Sequence, residues 1–538
     1  MTAPLTASQG SDAFPGTLPA MLAAAPPEGT ALIFEGRRWS YGELDELIRR
    51  TAGGLRAAGI GPGDRVGLWL PNCPAYVALL FACAQIGAVA VAVNTRFRRV
   101  EVEDIVSRGR CRALAVWPGF RGIDFAGILA DLDADKLAGV DRLILCGEGG
   151  SAPAALPGAR RVTFDDLAAA APTDESHADP DAPVCLFTTS GTTSKPKFVV
   201  HRQAAPARHA VEVARAFGFT APDTVVYQSV PLCGVFGFCA FMATMAAGRP
   251  SVMVAAFEAD EAVDLILRHR VTDTVGADDM VDRLLAAAGP RRLPSLRQIV
   301  YARFNAALAD IVERADAHGI KLTGVYGSSE LQALFSRHPL DAPVERRKRG
   351  GGLPVSPDTR VRARSRETGE VLPHGEAGEL EILTPSRMVG YDANPEATAA
   401  GFTEDGYFRT GDMGYTTADE GFVYLARYGD ALRLGGFLTH PAEIEEHLLT
   451  HPAVEGAQVV GVATEAGDVP VAFVTLRPGA AAPDEAALRD HCKGALAAYK
   501  VPKRLLVVED FPVTTGANGV KIQRNRLREM AAEHLREG

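Results

Sequence analysis

The sequence predicts an α/β protein: a large N-terminal domain of layered α/β subdomains with a small β subdomain, followed by a small α+β domain. Three observations predict it. Helical and strand patterns alternate through the first ~100 residues and again over 224–301; residues 350–383 are glycine-punctuated and strand-rich; and the chain after Arg427 carries a helix and strand set of its own. At 538 residues the chain exceeds one ordinary domain, and 47% hydrophobic with 23% charged residues supplies a large core.

The elements follow in order. Residues 41–58 form an amphipathic helix and 65–70 a strand. Residues 76–93, YVALLFACAQIGAVAVAV, are apolar enough to raise a transmembrane flag, but Pro71 and Pro74 precede them and Gly87 interrupts them. AVAVAV after the glycine reads as a buried strand, so the stretch is a soluble helix, turn and strand. Residues 147–155 and 169–182 are loops. Short strands fall at 224–229, 251–255, 274–275 and 298–301. After the β subdomain come a helix at 441–449, strands at 457–462 and 469–476, a helix at 484–496, a strand at 504–508 and a final basic segment. The expected domains are 1–428 and 429–538.

The net charge of −10 argues against a broad footprint for nucleic acid or anionic lipid. No nucleic-acid partner and no stable membrane insertion are expected, while a homodimer stays open. Eight cysteines without a CxxC pair, most within apolar runs, read as reduced thiols of a cytoplasmic protein. The N-terminus lacks a basic segment leading into an apolar stretch, so no secretory signal is expected.

TTSGTTSKPK at 188–197 sets hydroxyl residues and two lysines around one glycine, directly after the apolar run 184–187. Backbone NH groups and hydroxyls of such a turn can point inward as a concave anion site, with lysine adding charge. It is not the GxxxxGK[ST] loop: the glycine spacing differs, and Pro196 would disrupt a helix starting there. Alone, the stretch reads either as a phosphate cradle or as a polar linker.

Other motifs stand beside it. TSGTT with KPK, VYGSSE at 325–330, YFRTGD at 407–412 and a glycine pair before PAEIE at 441–445 resemble, in this order, the adenylate-forming superfamily of acyl-CoA synthetases, adenylation domains and luciferases. The resemblance runs from SYGEL at 40–44 to KIQRNRL at 521–527. It implies that Thr189, Ser190, Gly191, Thr192, Thr193 and Lys197 hold the ATP phosphates. Tyr326, between Val325 and Gly327, would stack on adenine, and Ser329 would stand near the α-phosphate. Glu330 would bind Mg²⁺, with Thr189 joining its shell. Asp412 would accept bonds from both ribose hydroxyls, and Arg427 would hold ribose or phosphate.

The implied chemistry is activation of a carboxylic acid as its acyl-adenylate, with pyrophosphate released, then attack by a thiol that expels AMP. Lys521 is the lysine implied to bridge the carboxylate and the α-phosphate. Between the steps the small domain is implied to rotate, making it mobile, about Gly429. Gly435 and Gly436 would then line the pantetheine path.

Four departures stand out. Ser194 and Phe198 replace glycines of the family's phosphate loop; Gly429 replaces a charged hinge residue; PVTTGANGVKIQR separates the lysine from its usual glycine; and in PLCGVFG Gly234 replaces the ring that borders the acid. Losing that ring favours a bulky or long apolar acid, lined by Cys233, Phe236 and Phe238, with Val235 beside them. Arg303 would meet a second polar group of the acid. The expected function is therefore an ATP- and Mg²⁺-dependent acid:CoA ligase. The alternatives are an acyl-AMP ligase loading a separate carrier protein and a catalytically silent nucleotide-binding relative.

Overall fold

The computed structural model describes residues 14–147, 158–189, 196–304, 308–430, 432–434, 437–439, 441–464, 467–516 and 519–537. Two large sheets carry the N-terminal part. The first runs, in spatial order, Gly390–Tyr391, Phe198–Arg202, Pro183–Thr188, Val89–Ala92, Arg65–Trp69, Ala113–Val116, Arg142–Leu145 and Arg160–Thr163. Its strands are parallel from Pro183–Thr188 onward, while the two strands at the other edge pair antiparallel.

The membrane-flagged stretch resolves as expected. Its helix Pro74–Ile86 ends on Gly87 at φ +75, the left-handed conformation glycine adopts freely, and the strand Val89–Ala92 follows. Pro74–Ile86 and Val235–Ala246 are apolar on every side because both lie in one core shared with strands of both sheets. Among the described residues no helix is long and apolar enough to cross a membrane. Around this core the helix Tyr41–Ala57 starts on a capping box, Ser40 with Glu43, and buries its Leu44, Ile48 and Leu55 face.

The second sheet carries the expected β subdomain at one end. Strands Gly351–Pro354, Arg360–Arg364, Gly378–Leu383, Phe408–Thr416 and Phe422–Arg427 exist as a β-rich region, but they are hydrogen-bonded into the sheet that carries Val226–Gln228 and Gln298–Ala302. The joint is the antiparallel pairing of Ser336 with Pro354 and of Arg337 with Leu353, so thirteen strands form one surface.

That surface ends at Arg427. Beyond it, Val454–Thr464, Gly467–Leu476 and Arg504–Val507 form a separate three-stranded sheet. Helices Pro441–Leu448 and Glu485–Lys493 bury Ile444, Leu448 and Leu488 against it. The basic tail is a further helix, Arg524–Glu537, whose Leu527 and Ala531 pack with Val471 and Phe473.

Candidate active site

TTSGTTSKPK joins two antiparallel strands, with Thr188 opposite Phe198. Its neck is tied twice: the Thr189 amide donates to the Lys197 carbonyl at 2.9 Å, and the Lys197 amide donates to Thr189 Oγ1 at 3.2 Å. A strand-to-strand turn of this kind differs from the strand-to-helix passage of GxxxxGK[ST]. Ser190, Gly191, Thr192, Thr193 and Ser194 lie outside the described residues. The other altered position of this loop is anchored: Phe198 is buried in the core, the Arg108 guanidinium lies 4.8 Å from its ring centroid, and Arg108 donates to the Pro196 carbonyl at 2.8 Å. A side chain at this position thus fixes the exit of the neck.

VYGSSE occupies a second hairpin. Val325, Tyr326 and Gly327 lie on the strand Lys321–Ser328, which pairs with Gln332–Arg337, and Ser329 and Glu330 stand in the turn between them. His201, on the strand leaving the loop, reaches this turn, its Nε2 2.7 Å from the Ser329 carbonyl. Burial pushes its pKa down to about 4, so it is a neutral donor there. Tyr391, absent from the sequence reading, donates its hydroxyl to Glu330 Oε1 at 2.9 Å, and Lys197 Nζ sits 4.7 Å from the centroid of the same ring. Lys197 and Glu330 are therefore brought together.

Magnesium ordinarily takes one or two carboxylates with phosphate oxygens and water. A single glutamate beside this neck fits that donor set. Among the described residues no group of three or more His, Cys, Asp or Glu could hold a metal by itself.

Asp412 lies on Phe408–Thr416 directly opposite Arg427 on Phe422–Arg427. Arg427 Nε stands 3.1 Å from Asp412 Oδ1, and the Tyr326 hydroxyl donates to Oδ2 at 2.5 Å. Burial pushes the Asp412 carboxyl up to about 6, against the pull of Arg427 and of the tyrosine bond. The Tyr326 ring is itself buried, edge-on to Phe422 at 5.2 Å and tilted against Tyr424 at 5.6 Å. Gly411 takes φ +69, so the strand needs at this point a residue that tolerates left-handed backbone.

Known proteins resemble this chain over most of its length. Residues 21–392 match the family model "AMP-binding enzyme", and 443–517 match "AMP-binding enzyme C-terminal domain". The chain belongs to the AMP-binding enzyme family. It is an acid–thiol ligase of the adenylate-forming class. Triostin synthetase I of Streptomyces triostinicus is 30% identical over 94% of this chain and 92% of its own. Sulfoacetate–CoA ligase of Cupriavidus necator is 31% identical over 94% and 93%. The O-succinylbenzoate coenzyme A synthetase MenE of Bacillus subtilis, solved with ATP and magnesium ion, superposes with a TM-score of 0.78 at 26% identity over 95% and 98%.

In this ligase the expected acyl residues gather at one helix. Gly234 is the N-cap of Val235–Ala246, Cys233 is half-buried beside it, and Phe236 and Phe238 are buried in the main core. Phe238 packs edge-on to Phe187 at 5.1 Å, under the strand that enters the glycine and hydroxyl loop. Phe238→Ala is accordingly expected to cost about 3–5 kcal/mol of stability in denaturant unfolding. A cost below ~1 kcal/mol would mean the ring faces free space. Arg303 departs from expectation in its partner: it pairs with Glu446 of the helix Pro441–Leu448 at 3.6 Å.

The remaining positions lie in the small C-terminal part of the ligase. Gly429 sits in the turn after Arg427, where an added Cβ would meet nothing within 4 Å, and its carbonyl accepts from Arg528 at 2.9 Å. Arg528 also pairs with Asp430 at 2.5 Å. Gly435 and Gly436 lie outside the described residues, as does the Lys521 side chain. The Lys521 backbone lies on Gly519–Ile522, opposite Thr514 of Val513–Gly516. The described residues of PVTTGANGVKIQR thus include two paired strands, Val513–Gly516 and Gly519–Ile522.

Proposed function

We propose that this protein uses ATP and Mg²⁺ to activate a bulky or long apolar carboxylic acid as its acyl-adenylate, and then forms the CoA thioester, releasing AMP and pyrophosphate. The observation that carries the reading is the convergence of Lys197 and Glu330 on Tyr391, with Tyr326, Asp412 and Arg427 joined beside the same hairpin.

Each residue has a chemical task. Asp412 accepts the ribose hydroxyls, Arg427 keeps it ionised, and Tyr326 bounds the adenine end. Thr189, Ser190, Gly191, Thr192, Thr193 and Lys197, with Ser329, hold the phosphates. Glu330 and Thr189 would hold Mg²⁺, which when bound neutralises phosphate charge. Lys521 draws the acid carboxylate and the α-phosphate together for in-line attack. The domain boundary falls at 428/429, and rotation about Gly429 withdraws Lys521 and brings Gly435 and Gly436 to the thiol. Arg303 is engaged by Glu446, and the stretch with Cys233, Gly234, Phe236 and Phe238 is apolar, which supports an apolar acid.

ATP/pyrophosphate exchange across a panel of acids tests this reading. Exchange with long or bulky apolar acids is expected; ATP binding without exchange for any acid would favour a silent relative. A second reading, loading of a separate carrier protein, is supported by the likeness to Triostin synthetase I. Comparing thioester yield on free CoA with that on a holo-carrier separates the two.

A further inference from the structure

We propose that Tyr391 is a positioning residue for the nucleotide: one side chain sets the spacing between Glu330 through its hydroxyl and Lys197 through its ring. The inference rests on the nucleotide reading above and goes beyond it, because Tyr391 lies outside the motifs that carry that reading.

The geometry is specific. The hydroxyl meets Glu330 Oε1 at 2.9 Å, and Lys197 Nζ stands 4.7 Å from the ring centroid, within cation–π range. A glutamate in a hairpin turn is ordinarily solvated and free to change rotamer. Here one carboxylate oxygen is engaged, which orients the other.

The backbone makes the same connection. Tyr391 is paired with Val199 and Gly390 with Val200, on the strand that leaves the loop. Val389 donates to the Val200 carbonyl, Asp392 to the Phe198 carbonyl, and Met388 to the Glu330 carbonyl at 2.7 Å. Five consecutive residues therefore join the loop exit to the Glu330 turn. The far end is clamped: Arg65 forks onto both Asp392 oxygens at 2.7 and 2.8 Å, and Arg110 adds a third contact at 3.0 Å. Asn394 then caps the helix Pro395–Gly401, and Thr398 Oγ1 accepts the Tyr391 amide at 2.9 Å. A ring needed only for packing would have no use for a hydroxyl aimed at a carboxylate or for a lysine over its face.

Calorimetric ATP binding, with magnesium and with EDTA, tests the proposal on the full chain. Tyr391→Phe keeps the ring and removes the hydroxyl; it is expected to lose about five- to tenfold of the affinity that magnesium adds, with metal-free affinity unchanged. Tyr391→Leu is expected to weaken metal-free binding as well, because Lys197 loses its platform. A Tyr391→Phe protein with the full magnesium gain, or with equal losses under both conditions, would overturn the proposal. Glu330→Asp keeps the carboxylate but withdraws it from the hydroxyl, so it is expected to lose the same gain even where Tyr391→Phe fails to fold. Full retention there would also overturn it. Wild-type protein that gains affinity from magnesium yet shows no exchange with any acid would overturn the ligase reading alone, leaving the Tyr391 comparison valid.

Discussion

Lys521→Ala is expected to lose acyl-adenylate formation by roughly 10²–10³-fold, the usual cost of removing a group that meets charge developing in a transition state. Thioester formation from presynthesised acyl-adenylate should fall by less than about tenfold, since the phosphate bond is already made. The two half-reactions, measured separately, give the comparison. The backbone of Lys521 is held in the ribbon pairing with Thr514, so truncating its side chain leaves that pairing intact. Equal losses in both halves would remove the lysine from the role assigned to it.

Acidification should weaken ATP binding with a midpoint near pH 6, the value to which burial raises Asp412. The direction follows from charge. An ionised Asp412 accepts ribose hydroxyls, whereas a protonated one gives up acceptor capacity. Stability moves the opposite way: because the folded-state pKa lies above the unfolded value of 3.8, the folded protein binds the extra proton. The stability due to this group is therefore present below about pH 4 and is lost as pH rises through about 6. Asp412→Asn should bind ATP roughly 10–100-fold more weakly at pH 8 and lose the midpoint near 6. The nucleotide's own phosphate titration is common to both proteins, so the difference between the curves isolates Asp412. Parallel curves would show that Asp412 does not titrate in this range.

Local pattern carried much of the fold and little of the contact network. The helix at 41–57, the buried helix and strand about Gly87, and the strands of the small domain were legible because periodicity, caps and glycine breaks are local. The tail helix was obscured by its arginines, although Leu527, Met530, Ala531 and Leu535 are spaced as a helical stripe. Strand partners are another matter. Nothing local to Ser336 or Pro354 says that they pair, and that pairing joins the expected β subdomain to the larger sheet.

The same distinction holds at the site. Asp412 and Arg427 were each legible from motifs, but only the register sets them opposite one another. Tyr391 to Glu330 spans 61 positions and left no local signal. Arg303 was placed near the acid by resemblance, and nothing in its neighbouring sequence signals the pairing with Glu446.

The pairing of Arg303 with Glu446 carries one more consequence. Its two side chains are 32% and 58% exposed, so electrolyte reaches them. A hydrated pair of this kind is worth at most about 1 kcal/mol and fades as salt rises. Under the proposed rotation it would act as a weak latch between the two parts. In the proposed rotation the latch opens before the thiol can arrive, and ionic strength becomes a throttle on that departure: a turnover limited by it quickens as salt is added.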